Sequence, residues 1–208
     1  VRVWNAQTFE LLATLEGHTG PVVRVSFSGD GRYLASGSAD KTVKIWEMET
    51  FKCFATLQDH PDTVSSVSFS YDGKLVASSC LRDKLVKIWE VQTSKCITTL
   101  DGHTDGVASV CFSSDAKYLA SGSKDKTAKI WEVGTSKCLA TLRGHKALVV
   151  SANISSDGQY VASASIRDEI VKIWKVQTSE CIATLKGHTE GVSSVSFSGD
   201  GKYLASGS

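Results

Sequence analysis

Residues 138–174 read CLATLRGHKALVVSANISSDGQYVASASIRDEIVKIW. Four short runs stand out: Cys138–Leu142, Leu148–Ile154, Tyr160–Ala164 and Val171–Trp174. Each is rich in β-branched, aromatic or apolar residues and is bounded by turn-forming ones, the pattern of short strands. Asp157-Gly158 between the second and third runs marks a tight hairpin turn. No stretch sustains a helical apolar period, and only two prolines interrupt the chain.

The same unit recurs along the chain in both directions. The five tryptophans (Trp4, Trp46, Trp89, Trp131, Trp174) are spaced 42, 43, 42 and 43 residues apart. The five histidines (His18, His60, His103, His145, His188) follow the same spacing. Every Trp and every His is therefore a repeat position, which leaves no spare histidine for catalysis or metal binding. Asp-Gly returns at 30–31, 72–73 and 200–201, whereas the third copy has Asp115-Ala116 and must strain or alter its turn. The second and fourth copies carry one extra residue ahead of an aspartate (Leu81-Arg82-Asp83, Ile166-Arg167-Asp168); the first and third do not (Ala39-Asp40, Lys124-Asp125). This alternation suggests a duplicated two-unit block. Four strands per unit at constant spacing predict an all-β radial array.

Composition narrows the function classes. The 23 Lys+Arg nearly balance 22 Asp+Glu, so there is no global basic field for nucleic acid or an anionic membrane. No run is long and apolar enough for a spanning helix, and no signal peptide is expected. Cys53, Cys96, Cys138 and Cys181 occupy one repeat position, filled by Leu11 in the first copy, while Cys80 and Cys111 replace Ser and Val. Equivalent points on separate units should lie beyond disulfide reach, so the thiols are read as reduced, buried hydrophobes of a cytoplasmic or nuclear protein.

These residues resemble the WD40 repeat family over essentially the whole chain. The matching elements are Gly-His at 17–18, 102–103, 144–145 and 187–188 (Asp59-His60 in one copy), a Val-x-x-Val-x-Phe-Ser strand, Asp-Gly, Leu-Ala-Ser-Gly-Ser and Asp-Lys-Thr-Val-Lys-Ile-Trp. The Trp-Asp dipeptide itself is absent, Trp being followed by Asn5, Glu47, Glu90, Glu132 and Lys175. The resemblance implies a β-propeller, here of five blades of four antiparallel strands in a single domain over residues 1–208. The fifth blade would be split between residues 1–14 and 188–208, the N- and C-terminal strands pairing to close the ring and remove open edges. Ser36 and Trp46 are ten positions apart, whereas Ser206 wrapped to Trp4 is six, so the seam would be about four loop residues short.

Each copy brings Ser, His and Asp together, as a nucleophilic triad does: His18/Ser36/Asp40, His60/Ser78/Asp83, His103/Ser121/Asp125 and His145/Ser163/Asp168. The family resemblance implies a structural chain instead, in which Trp46, Trp89, Trp131 or Trp174 donates to Ser, Ser to His and His to Asp. No Gly-x-Ser-x-Gly elbow supports a nucleophile. The fifth set, His188, Ser206 and Trp4, lacks its Asp, and the seam blade is expected to be the least stable. There is no HExxH, Walker loop, GxGxxG or calcium loop, so no enzyme activity, cofactor or metal is expected.

The expected role is a non-catalytic scaffold for a protein or peptide partner. By resemblance, the partner would sit on the top face, near Arg82, Lys124 and Arg167, with Val23, Thr63, Ser65, Leu148 and Val150. Pro21, Ala39, Ala108 and Ser193 share that rim. Three cations beside small or apolar groups suit an acidic or phosphorylated side chain, with Leu148 and Val150 as the apolar anchor. The other readings are a carbohydrate-binding, lectin-like propeller and a designed or truncated scaffold without a partner of its own. All five tryptophans are already assigned and asparagine is scarce, which weighs against the lectin; near-identity of the copies favours the last. No nucleic acid or membrane partner is expected, and the chain is either a monomer or a self-paired oligomer.

Overall fold

A computed structural model describes all of residues 1–208. It contains twenty strands and no helix. Four complete blades follow one another, each an antiparallel four-stranded sheet in sequence order. They are β3 (Val22–Phe27), β4 (Tyr33–Ser38), β5 (Thr42–Glu47), β6 (Lys52–Gln58); then β7 (Val64–Phe69), β8 (Leu75–Cys80), β9 (Val86–Glu90), β10 (Lys95–Leu100). The third is β11 (Val107–Phe112), β12 (Tyr118–Ser123), β13 (Thr127–Glu132), β14 (Lys137–Arg143), and the fourth β15 (Val149–Ile154), β16 (Tyr160–Ser165), β17 (Ile170–Lys175), β18 (Cys181–Lys186). A two-stranded half-blade flanks them at each end: β1 (Arg2–Trp4) with β2 (Leu11–Thr14), and β19 (Ser194–Phe197) with β20 (Leu204–Gly207).

The turn between the first two strands of each blade is built as the dipeptides predict. Ser28 Oγ donates to Asp30 Oδ1 at 2.6 Å, and the same carboxylate accepts Arg32 N–H at 3.0 Å. Gly31, Gly73, Gly158 and Gly201 all take positive φ near 70°. Ala116 is forced to φ 56° at the equivalent point, a conformation costing an L-residue roughly 1–2 kcal/mol.

The core lies between blades. In the first interface Tyr33, Ala35, Val43, Ile45 and Leu57 of one blade meet Val64, Val67, Phe69, Val76, Trp89 and Val91 of the next, all buried. The strand period of two explains this: alternate residues of a central strand face the preceding and the following blade. Innermost strands of neighbouring blades are further stitched by side chains. Phe69 N–H donates to Ser26 Oγ (3.0 Å), Phe112 N–H to Ser68 Oγ (3.2 Å) and Ala152 N–H to Ser109 Oγ (2.9 Å).

Two expectations are corrected. The terminal strands do not pair: β1–β2 and β19–β20 remain separate two-stranded sheets, and the array is an open arc. The N-terminal half-blade instead packs Val1, Val3 and Ala13 against Leu34 and Trp46 of the first complete blade. The repeated cysteines are not buried; Cys53, Cys96, Cys138 and Cys181 are exposed, and only Cys80 is fully enclosed. They lie on outer edge strands, where a residue has one strand neighbour. Cys53 Sγ rests 3.4 Å from Ala55 O on its own strand. All six thiols are free.

Candidate functional site

The histidine-bearing loop of each blade leads into its innermost strand, while Ser and Trp sit on the second and third strands. Register does the rest: Leu34 pairs with Trp46 and Ser36 with Lys44, which sets the indole beside the serine. In the third blade Trp131 Nε1–H donates to Ser121 Oγ at 2.8 Å, and His103 Nε2 lies 2.7 Å from the same oxygen. His103 Nδ1 lies 2.7 Å from Asp125 Oδ2. A carboxylate only accepts, so Nδ1 carries the proton and Nε2 accepts from the serine hydroxyl. The first blade (Trp46, Ser36, His18, Asp40) and the fourth (Trp174, Ser163, His145, Asp168) repeat this chain at 2.7–2.8 Å.

Each of these serines is fully enclosed, its oxygen already receiving an indole N–H. A hydroxyl so placed cannot meet a substrate carbonyl, so the triad-like composition serves to tie the histidine loop to the turn before the third strand. Burial lowers the pKa of His103 and His145 despite the opposing pull of Asp125 and Asp168, which keeps both rings neutral near pH 7. Burial alone would raise the Asp125 carboxyl. Hydrogen bonds from Thr127, His103 and Thr104 outweigh it and hold the pKa at about 2. Asp40 is likewise held well below the carboxylate range by Thr42, His18 and Thr19, against desolvation.

The second blade departs from expectation. His60 Nε2 reaches Ser78 Oγ at 2.7 Å and Trp89 Nε1–H donates to the same oxygen at 2.7 Å, but Asp83 does not join. His60 Nδ1 is buried without a partner. Sequence reasoning overlooked the residues that decide this. In the first and third blades the aspartate Oδ2 also accepts a backbone N–H, from Thr19 or Thr104, and Oδ1 accepts a hydroxyl, from Thr42 or Thr127. The second blade has Pro61, which has no N–H, and Leu85, which has no hydroxyl. Asp83 loses both anchors and keeps only Leu85 N–H, at 3.2 Å. The fourth blade loses one: Lys146 N–H still reaches Asp168 Oδ2 at 2.8 Å, but Ile170 replaces threonine and Asp168 Oδ1 is left buried and unpaired.

A second substitution compounds the first. Asp59 stands where the other copies have glycines with φ between 139° and 154°. Its carboxylate accepts from Lys87 Nζ at 2.6 Å. The equivalent Lys44 and Lys129 instead donate to outer-strand Thr56 and Thr141. Burial, followed by the nearby Lys87 charge, pushes the His60 pKa down to about 4.

In the split set His188 Nε2 meets Ser206 Oγ at 2.7 Å, and Ser208 Oγ takes the missing aspartate's place at 3.1 Å from Nδ1. His188 thus has a second partner where none was expected. Trp4 does not reach Ser206 and is 54% exposed.

The rim residues are divided. Arg82 is exposed and paired with Asp62 at 2.7 Å, while Arg167 is exposed and Lys124 half-buried, neither in an ion pair. Thr63, Leu148 and Val150 are half-buried. Ser65 is withdrawn: it is buried, and its hydroxyl lies within bonding distance of Val107 O (2.9 Å) in the next blade and Ser79 O (3.1 Å) in its own. Val23, at the same repeat position, is exposed at the open end of the arc.

Comparison with known proteins agrees with the repeat boundaries. The family model described as WD domain, G-beta repeat matches residues 9–47, 51–90, 94–132, 136–175 and 179–208. A stretch of 42 residues is 57% identical to the Periodic tryptophan protein 2 homolog of Schizosaccharomyces pombe, covering 20% of this chain and 5% of that protein. Periodic tryptophan protein 2 of Saccharomyces cerevisiae is 50% identical over 44 residues, 21% of this chain and 5% of its own length. Vegetative incompatibility protein HET-E-1 of Podospora anserina is 56% identical over 41 residues, 20% of this chain and 3% of its own. The matched stretch is about one repeat, a small part of each of these relatives. With five copies of the family's unit in register, four of them folded as full four-stranded blades, the chain belongs to the WD40 repeat family.

Proposed function

We propose that this protein is a non-catalytic interaction scaffold that takes a peptide or short protein segment on the rim carrying the histidine loops and the turns before each third strand. The observation that carries the reading is the pair of unpaired cations at equivalent turns of neighbouring blades, Lys124 and Arg167, with exposed Ile166 next to the arginine. Membership of a family whose repeats generally hold proteins supports it. Leu148 and Val150, both half-buried, supply apolar contact, and an acidic or phosphorylated side chain suits the cations. Arg82 contributes less, because Asp62 already occupies it; that pair is exposed and weak enough to exchange. A cytoplasmic setting belongs to the same reading.

The test is a peptide array of acidic, phosphorylated and neutral sequences probed with the wild type and with Lys124→Glu/Arg167→Glu. Binding of acidic peptides should fall at least tenfold in the double variant, about 1.4 kcal/mol. Equal binding by both proteins would remove the site from this rim.

A further inference from the structure

Each complete blade carries a lysine on its third strand, opposite a threonine on its outer strand: Lys44↔Thr56, Lys87↔Thr99, Lys129↔Thr141 and Lys172↔Thr184. The second and third blades, both flanked by complete blades, treat this lysine differently. In the second, Asp59 of the histidine loop holds its carboxylate 2.6 Å from Lys87 Nζ. In the third, Gly102 occupies that loop position, and Lys129 has no carboxylate partner. Its Nζ donates to Thr141 Oγ1 at 2.7 Å, lies 3.9 Å from Cys138 Sγ and sits 6.0 Å from the centre of the Trp131 ring. Both lysines are only 7% exposed. A cation so enclosed is ordinarily matched by an anion, because a hydroxyl and an aromatic face offset only part of its lost hydration.

A second cation stands beside Lys129. Arg143 lies two residues beyond Thr141, on the same face of β14, lines the same cleft and is in no ion pair. Its equivalents are Gln58 in the first blade and Asp101 in the second. The cleft has a volume of about 60 Å³, room for a carboxylate group, and is bare where Gly102 replaces an aspartate. Its walls are rich in donors: the remaining ammonium N–H groups of Lys129, the guanidinium of Arg143 and the hydroxyls of Thr104 and Thr141. Asp125 also lines it, but has no lone pair to spare. Its Oδ2 accepts His103 Nδ1–H and Thr104 N–H, and its Oδ1 accepts the N–H and the hydroxyl of Thr127. Asp101 precedes Gly102 in the chain but does not line the cleft.

We infer that this cleft of the third blade is a binding site for one carboxylate group, held by Lys129 and Arg143 as Lys87 holds the carboxylate of Asp59. Lys129 supplies a desolvated point charge, and Arg143 a planar fork that matches two carboxylate oxygens. Thr104 and Thr141 add hydroxyl donors. The first blade, with a half-buried Lys44 and Gln58 in place of the arginine, offers one cation and a weaker site. The cleft is separate from the turns that carry Lys124 and Arg167, neither of which lines it. A free organic acid and an acidic side chain present the same group to it.

The test is an NMR titration of the whole chain at constant ionic strength, with chloride exchanged for acetate or, separately, for N-acetylglutamate amide. The backbone amides of Gly102, Thr104 and Thr141 should shift and saturate, while those of Gly17, Thr19 and Thr56 in the first blade should need about tenfold more ligand. Saturation by acetate assigns the site to free acids; saturation by the blocked glutamate alone assigns it to acidic side chains. Arg143→Gln, at an exposed side chain, should weaken binding by about tenfold, and Lys129→Met should abolish it. Shifts that fail to saturate with both probes overturn the inference. So does equal affinity at the first blade, or binding undiminished in Arg143→Gln.

Discussion

The second and third blades carry the same histidine, serine, tryptophan and aspartate, yet only the third assembles all four. His103 reaches Asp125 at 2.7 Å, whereas His60 has a buried Nδ1 with no partner. The difference lies outside the four. Asp125 is held by Thr104 N–H and the Thr127 hydroxyl as well as by its histidine. Pro61 and Leu85 deprive Asp83 of both. A carboxylate joins such a chain only when enough donors converge to offset its desolvation; the histidine alone is insufficient.

The comparison breaks most directly at the aspartates. Asp125→Ala strips four hydrogen bonds from largely buried donors and should cost about 4 kcal/mol in chemical denaturation. Asp83→Ala should cost less than about 0.5 kcal/mol. Equal losses would mean that Asp83 serves His60 after all.

Acid should find the second blade next. The His60 pKa is about 4 in the folded chain against an ordinary 6.5, so the unfolded chain takes up the proton first as pH falls. Stability conferred by the neutral ring is whole above pH 6.5 and declines toward pH 4, by about 3 kcal/mol in all. Thermal unfolding across that range should show the slope, and His60→Gln should flatten most of it. A slope untouched by that substitution would assign the titration to His103 or His145, whose pKa values burial also lowers.

Repair sharpens the same contrast. Pro61→Thr with Leu85→Thr restores the N–H and the hydroxyl and should draw Asp83 onto His60, adding about 1–2 kcal/mol. The His60 ring protons, followed by NMR, would then show a protonated Nδ1 shielded from exchange. Ile170→Thr in the fourth blade, which gives Asp168 Oδ1 its missing donor, should add about 1 kcal/mol. The smallest change is Ala116→Gly in the third blade. It relieves the positive φ and raises stability by up to about 1 kcal/mol, less the entropy gained by the unfolded chain.

Much of the molecule is legible in the sequence. The constant spacing of Trp46, Trp89, Trp131 and Trp174 located the third strand of each blade, and Asp-Gly located the hairpins. The Asp83 exception was also written in the chain, in Pro61 and Leu85, but is readable only once one knows which backbone N–H and hydroxyl face the carboxylate. The rim was less legible. Ser65 reads as a surface residue in the sequence, but the neighbouring blade's Val107 carbonyl lies against its hydroxyl.

The sequence by itself determined the repeat unit, its four strands and the hydrogen-bonded chain of the first, third and fourth blades. These depend on local alternation, turn chemistry and pairs of residues within about one repeat. Only the tertiary structure decided whether Trp4 meets Ser206. That contact depends on how all the blades are placed relative to one another, which no single repeat encodes, and in the structure β1 and β20 belong to separate sheets.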